Sequence, residues 1–282
     1  MAPFLETSPS KEAKYENFPV GSWLLSSKLR PHVACFYAFA RSADDIADNP
    51  ELSSDEKIKR LDGFEEALLG KGSVDTAFKN AMDMAESLKE SSVSPKHCQD
   101  LLCAFKQDVH KSRYNDWADL VAYCALSAAP VGRYLIDLHG GSNSGYWASD
   151  ALCSALQLIN HLQDCGDDYR ALNRVYLPMD WVSEAGLDLA DLSCDKTTPA
   201  LRRVLDWTLM GINGQLHDAK ALPATLNSTR LSLEASVIYQ IACKLSHKLG
   251  ENDPLSKRIE LSKYDLSSCS IKGLAAGLIC RC

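Results

Sequence analysis

The chain lacks the features that mark several large functional classes. Basic residues are not in excess: 30 Lys and Arg stand against 37 Asp and Glu, for a net charge of −7. A nucleic-acid footprint needs clustered positive charge to displace counterions, so that class is excluded and any phosphate partner must be held locally, by metal. The 11 cysteines include no Cys-x-x-Cys pair and no His/Cys cluster at zinc spacing. Their odd number also excludes a complete disulfide framework. Cys35, Cys103, Cys124, Cys153 and Cys243 fall in apolar helical stretches and read as small hydrophobes, while Cys280 and Cys282 do not form a prenylation box. No basic start followed by an apolar run opens the chain, and no segment has the length of a membrane span. The longest late apolar run, residues 271–280, is broken by Lys272, Gly273 and Gly277, so it could touch a membrane surface but not cross. The expected location is cytoplasmic, with peripheral membrane contact left open. Alternating strand patterns, a glycine-rich phosphate loop after a strand and fixed-period repeats are missing too.

What remains is helical. After a polar, proline-bearing stretch over residues 1–20, Pro31 suits a first helical turn, and Val33, Phe36, Tyr37 and Ala40 follow on one side. Asn49 and Pro50 stop that helix. A second opens at Ser53 or Ser54 with acids behind the cap and ends at Gly70. Further helices are predicted over 76–89, 95–111, 117–139, 147–171, 199–220, 231–249 and 270–279, joined by short connectors rich in Gly, Pro, Ser and Asn. Residues 21–282 therefore read as one all-α domain.

Two carboxylate clusters stand out in this frame. In RSADDIADNP, Asp44 and Asp48 are one helical turn apart on one face, where their charges repel. They also sit near the negative end of the helix. A solvated acidic helix end is the plain reading, and a bound cation removes both objections. In QLINHLQDCGDDYR, Gln157, Asn160, Asp164 and Asp168 follow at steps of three, four and four, on one face of a helix otherwise apolar around much of its circumference. Burying unpaired carboxylates costs several kcal/mol each unless a cation or donor offsets it. Hard oxygen donors in two separate clusters suit Mg²⁺, which takes one or two carboxylates and fills its shell with water and phosphate oxygens; Mn²⁺ is the alternative. Zinc hydrolysis is disfavoured because His139 and His161 stand alone.

Cations sit near both clusters. Tyr37, Arg41, Asp44 and Asp48 form one stripe, in which Arg41 either grips a diphosphate or simply pairs with Asp44 or Asp45. Arg174 and Tyr176 follow the second cluster, and Arg258 and Lys263 are further candidates, although a basic run is usually a solvated face. The small residues Ala125, Ser127, Ala128, Ala129 and Gly132, with Pro130, allow a kink and either close helix packing or the wall of a cavity.

These strings together resemble the squalene/phytoene synthase family. FYAFARSADDIAD and NRVYLP carry the family likeness, AFKQDVHKSRYNDWADLVAYC extends it, and NFPVGS and SAAPVGR point to the branch that forms hydroxysqualene. The resemblance implies an isoprenoid synthase helical bundle around a central cavity, with metal held by Asp44, Asp48, Asn160, Asp164 and Asp168. It places Tyr37, Arg41, Tyr123, Arg174 and Tyr176 among the catalytic groups, and Phe18, Gln157, Arg258 and Lys263 beside the substrate. The implied substrate is an isoprenoid diphosphate, presqualene diphosphate, supplied by the enzyme that makes it. Mg²⁺-assisted loss of diphosphate would give a cation that rearranges against aromatic faces such as Phe36, Phe39 and Tyr123 before water captures it. No nicotinamide is expected. A sibling reaction, head-to-head condensation of farnesyl diphosphate, and a noncatalytic helical binding protein are the competing readings.

Overall fold

The computed structural model describes residues 26–71 and 76–279. Thirteen α-helices run through them: α1 (Arg30–Asp48), α2 (Ser54–Leu68), α3 (Lys79–Ser91), α4 (Lys96–Asp108), α5 (Trp117–Ser127), α6 (Ala129–Leu138), α7 (Tyr146–Gln163), α8 (Cys165–Leu172), α9 (Met179–Ala185), α10 (Pro199–Ala219), α11 (Leu222–Thr225), α12 (Thr229–Glu251) and α13 (Lys263–Ile279). The described residues contain no β-strand, only a single bridge between Tyr114 and Pro178. The all-α, single-domain expectation holds.

Local chemistry sets the boundaries. Pro31 lies in the first turn of α1, and Ser53, Asp116, Thr198 and Ser228 each accept a backbone N–H at the start of a helix. Phe39 of α1, which never meets solvent, packs against Phe64 of α2 with ring centroids 5.2 Å apart. It is a core residue rather than the cavity-lining aromatic expected from the sequence. Phe36 stacks on Tyr134 of α6 at 4.1 Å, and Tyr37 and Ala40 flank this buried line instead of belonging to it. Cys103, expected in an apolar setting, is exposed, whereas burial pushes the Cys124, Cys153 and Cys165 thiols up to about 12.

Two long predicted helices are each divided. The 117–139 segment breaks at Ala128, just before Pro130, into α5 and α6. Gly132 then lets α6 approach α7 closely, since a β-carbon there would collide with Ser149 and Cys153. The small residues at this point serve tight helix packing. The 147–171 segment breaks at Asp164, between α7 and α8.

Helix α7 is the central rod, contacting α5, α6, α10 and α12. From Ala148 through the joint to Cys165 the chain is buried except at Asp150, Cys153, Gln157, Asn160 and Asp164. Those positions are spaced three, four, three and four, which is one helical line. α6 covers this line at Asp150 and Cys153, and the polar stripe read from the sequence, Gln157, Asn160 and Asp164, is its continuation and stays partly accessible.

At the other end of the chain, α13 begins at Lys263, earlier than expected, and lies on α12. The contact is close because Gly273 sits directly over the α12 backbone: an added β-carbon would be 2.5 Å from Val237 Cα. Gly273→Ala should destabilise the fold, because an overpacking cost of about 1–3 kcal/mol exceeds the ~1 kcal/mol that alanine recovers in helix propensity. Urea denaturation measures this, and an unchanged or higher midpoint would refute the close-packing account.

Candidate active site

The first cluster occupies the last turns of α1. Asp45 is buried, while Asp44 and Asp48 keep side-chain exposures of 36% and 27%. Arg41 reaches both Asp44 at 3.4 Å and Asp45 at 3.2 Å, so the pairing reading of that arginine is realised within the helix. Tyr37 lies one turn further back, half-buried.

The second cluster straddles the joint between α7 and α8. The backbone ladder continues across it, with Asp164 N–H donating to Asn160 at 3.0 Å and Asp168 N–H to Asp164 at 2.8 Å. Asp164 itself leaves helical geometry, at φ −107 and ψ 8. Arg258, from the segment after α12, forms an ion pair with Asp164. Lys263 opens α13 as an exposed side chain, so Arg258 is the cation of that run that reaches the cluster. His161, treated as isolated in the sequence, is buried beside this cluster, 3.9 Å from Asp168 and 3.2 Å from Gln157.

A sharp reversal brings the two clusters together. α8 ends at Asn173, whose φ of 51 is the left-handed geometry that asparagine tolerates better than most residues. Arg113 secures the turn by donating to the Asn173 side chain at 2.7 Å and to its carbonyl. The chain then runs beside residues 112–115, with Val175 N–H on Ser112 and Met179 N–H on Tyr114. This course buries Arg174 and points it at α1, where it donates to Asp48 at 2.6 Å. Burial opposes the Arg174 charge, but Tyr176, Asp48 and Asp108 hold its pKa above the ordinary arginine value. Lys57, near Arg174 and Asp48, is pushed down chiefly by burial.

Tyr176, two residues on, stacks on His161 at 3.5 Å and lies 5.8 Å from Tyr123 and 5.6 Å from Tyr114, ring to ring. Its hydroxyl is pushed up mainly by burial and feels both Asp48 and Asp168, one carboxylate from each cluster. His161, Cys165, Asp168, Arg174 and Tyr176 line a narrow crevice here that is too tight to admit a water molecule. An open groove of about 690 Å³ between α10 and α12 includes none of these carboxylates.

Asp108, at the end of α4, was not singled out in the sequence. Its Oδ2 accepts from the Tyr123 hydroxyl at 2.8 Å, and Arg174 donates to its backbone carbonyl at 3.3 Å. Burial pushes its carboxyl up to about 7, against the opposing pull of Arg174 and Tyr123. An acid closing a helix, upstream of a tyrosine, was the available signal. Phe18 lies outside the described residues.

The donor set can be tested against Mg²⁺. Asp44, Asp48, Asp164 and Asp168 offer hard carboxylate oxygens that remain partly accessible, and Asn160 adds an amide oxygen on the open line of α7. No group of three or more His, Cys, Asp or Glu forms a ready metal cage among the described residues. The residues fit a hard cation that completes its shell with water and ligand oxygens.

The squalene/phytoene synthase family model matches residues 12–265. Hydroxysqualene synthase of Rhodopseudomonas palustris is 42% identical over 98% of this chain and 94% of its own length. That of Zymomonas mobilis is 38% identical, covering 89% of this chain and 84% of its own. The crystal structure of squalene synthase HpnC from Alicyclobacillus acidocaldarius superposes with a TM-score of 0.71 at 28% identity, covering 85% of this chain and 91% of that one.

Asp108 makes stability depend on pH. Its folded pKa of about 7 exceeds the ordinary value of 3.8, so the folded state binds the extra proton and stability is lost as pH rises through that window. Asp108→Asn should therefore gain stability over the parent between about pH 4 and about pH 8 in urea denaturation. A difference that is flat with pH would contradict the burial argument.

Proposed function

The chain belongs to the squalene/phytoene synthase family, and from that premise we propose that it is a hydroxysqualene synthase acting on presqualene diphosphate. The observation that carries this reading is the meeting of both carboxylate clusters, through Arg174 and Tyr176, at one buried junction. The relatives named for the same reaction cover nearly the whole chain and support the branch assignment. The reaction is a carbon–oxygen lysis followed by hydration, in a catalytic unit assigned to residues 21–282.

Asp44, Asp48, Asn160, Asp164 and Asp168 would hold Mg²⁺. Bound there, the metal supplies Lewis-acid neutralisation of the leaving diphosphate. Arg174 and Arg258 already pair with the carboxylates and can take diphosphate oxygens with their guanidinium forks, with Arg41 and Tyr37 on the α1 side. Gln157 lies on the open line of α7 and contributes an amide to the substrate side. Phe18 and Lys263 complete the assigned substrate contacts. The faces of Tyr123 and Tyr176 stabilise positive charge as the carbon skeleton rearranges, and the packed walls exclude bulk water until capture. Substrate arrives from the enzyme that forms presqualene diphosphate.

We assign the protein to the cytoplasm, in peripheral contact with a lipid surface through α13. No helix among the described residues is long and apolar enough to cross a membrane. Yet Tyr264, Ile271 and Leu278 recur every seven residues on its outer side with exposures of 82%, 70% and 58%. Lys263 and Lys272 are exposed with them, while the acid of that helix, Asp265, is paired with Lys248 at 2.7 Å. Apolar side chains with flanking cations suit an anionic lipid interface.

Incubation of the purified protein with Mg²⁺ and presqualene diphosphate should give hydroxysqualene without nicotinamide, and none in chelator. Asp164→Asn should abolish turnover with its helical circular dichroism intact. Consumption of farnesyl diphosphate instead would move the protein to the condensing branch, and no product from either substrate would reject catalysis. In vesicle sedimentation the parent should pellet with anionic phosphatidylglycerol vesicles, and Ile271→Glu/Leu278→Glu should stay in the supernatant. Equal pelleting of the two proteins would remove the lipid assignment.

A further inference from the structure

We propose that Asp108 is the base that takes the proton from the water that captures the rearranged cation, with Tyr123 holding its carboxylate in place. This rests on the hydroxysqualene-forming reading above and assigns a residue to its last step.

The two oxygens of Asp108 are in different situations. Oδ2 is fixed by the Tyr123 hydroxyl at 2.8 Å. Oδ1 is buried and accepts no hydrogen bond. A buried carboxylate oxygen left without a donor is costly, and native proteins seldom retain one without a task. Close by, the Tyr114 hydroxyl is also buried without a partner, and the Asp108 charge is felt there. A single water that donates to Oδ1 and accepts from the Tyr114 hydroxyl would satisfy both groups.

Tyr114, Tyr123, Tyr176, Arg174 and Asp48 interact electrostatically with Asp108 and are the rival bases. Tyr114 and Tyr176 bring hydroxyls that burial holds well above their ordinary values, and Tyr123, wholly enclosed, is raised further. All three are proton donors near neutrality. Arg174 remains cationic. Asp48 is engaged by Arg174 and belongs to the metal-binding cluster. Among these groups Asp108 combines a negative charge with an oxygen lacking a donor, and its pKa near neutrality matches what a general base needs.

The step balances without a co-reactant. A lone pair of the water oxygen forms the new C–O bond to the cationic carbon. The O–H bond breaks with its electrons staying on oxygen, and the proton passes to Oδ1. The products are the alcohol and a neutral Asp108 carboxyl, which returns its proton to solvent or to the departing diphosphate.

The test follows product partition rather than rate. The full-length parent and Asp108→Asn are incubated with Mg²⁺ and presqualene diphosphate, and released diphosphate and extracted lipids are quantified together. In Asp108→Asn, hydroxysqualene formed per diphosphate released should fall about tenfold or more, within the roughly 10²–10⁴ that a positioned base supplies. Hydrocarbons formed by loss of a carbon-bound proton should replace it. An unchanged ratio, with both products slowed equally, would overturn the proposal and leave Asp108 as a positioning residue. Should Asp108→Asn fail to fold, Tyr123→Phe gives the second reading. Loss of its hydrogen bond, which lowers the Asp108 pKa, should move the pH midpoint of the hydroxysqualene fraction upward, and an unmoved midpoint counts against the proposal. A parent that forms no hydroxysqualene at all defeats the parent reading and this inference with it, whereas a parent that forms it at a ratio insensitive to Asp108 defeats only the inference.

Discussion

The pair between Arg174 and Asp48 organises the site. One partner ends the first described helix and the other follows α8, 126 residues later, so this 2.6 Å contact closes the bundle around its polar centre. Neither half is well placed alone. Asp48 stands at the negative end of α1 beside other acids, and Arg174 is buried where an unpaired guanidinium would be costly. Tyr176, carried by the same segment, then acquires its stacking on His161 and its position between both carboxylate clusters.

The pairing also explains how a chain of net charge −7 can receive a diphosphate. The overall field is repulsive, and the local one is not. Arg41, Arg174 and Arg258 each already reach a carboxylate of the two clusters or its neighbour, so the cationic equipment is in place beside the metal donors. A ligand that brings its own negative charge together with hard cations replaces one set of charge pairs by another, instead of being moved into an uncompensated interior.

Much of this was legible in the sequence because helical periodicity is a local property. The stripe Gln157, Asn160, Asp164 follows from spacing alone, and these residues stay partly accessible on an otherwise buried helix. Arg174 and Tyr176 were legible as neighbours of the second cluster. The breaks at Ala128 and Asp164 were not, since a helical pattern continues through both while the backbone leaves helical geometry at those residues. Asp108, Tyr114 and His161 depend on contacts between residues far apart in sequence, such as the 3.5 Å stack of His161 on Tyr176. Phe39 shows the reverse error: residue type suggested a cavity-lining role, and the direction of the side chain gave it to the core.

The joint at Asp164 has a consequence for how such a site diverges. Because the second cluster is shared between two rods, the bite between its donors belongs to the hinge connecting them and not to either helix. A single insertion or deletion at the hinge changes it with every donor retained. Chains sharing the same acidic letters can therefore differ in how they grip a cation, and conserved spelling across this joint is a weaker guide to shared chemistry than conserved length.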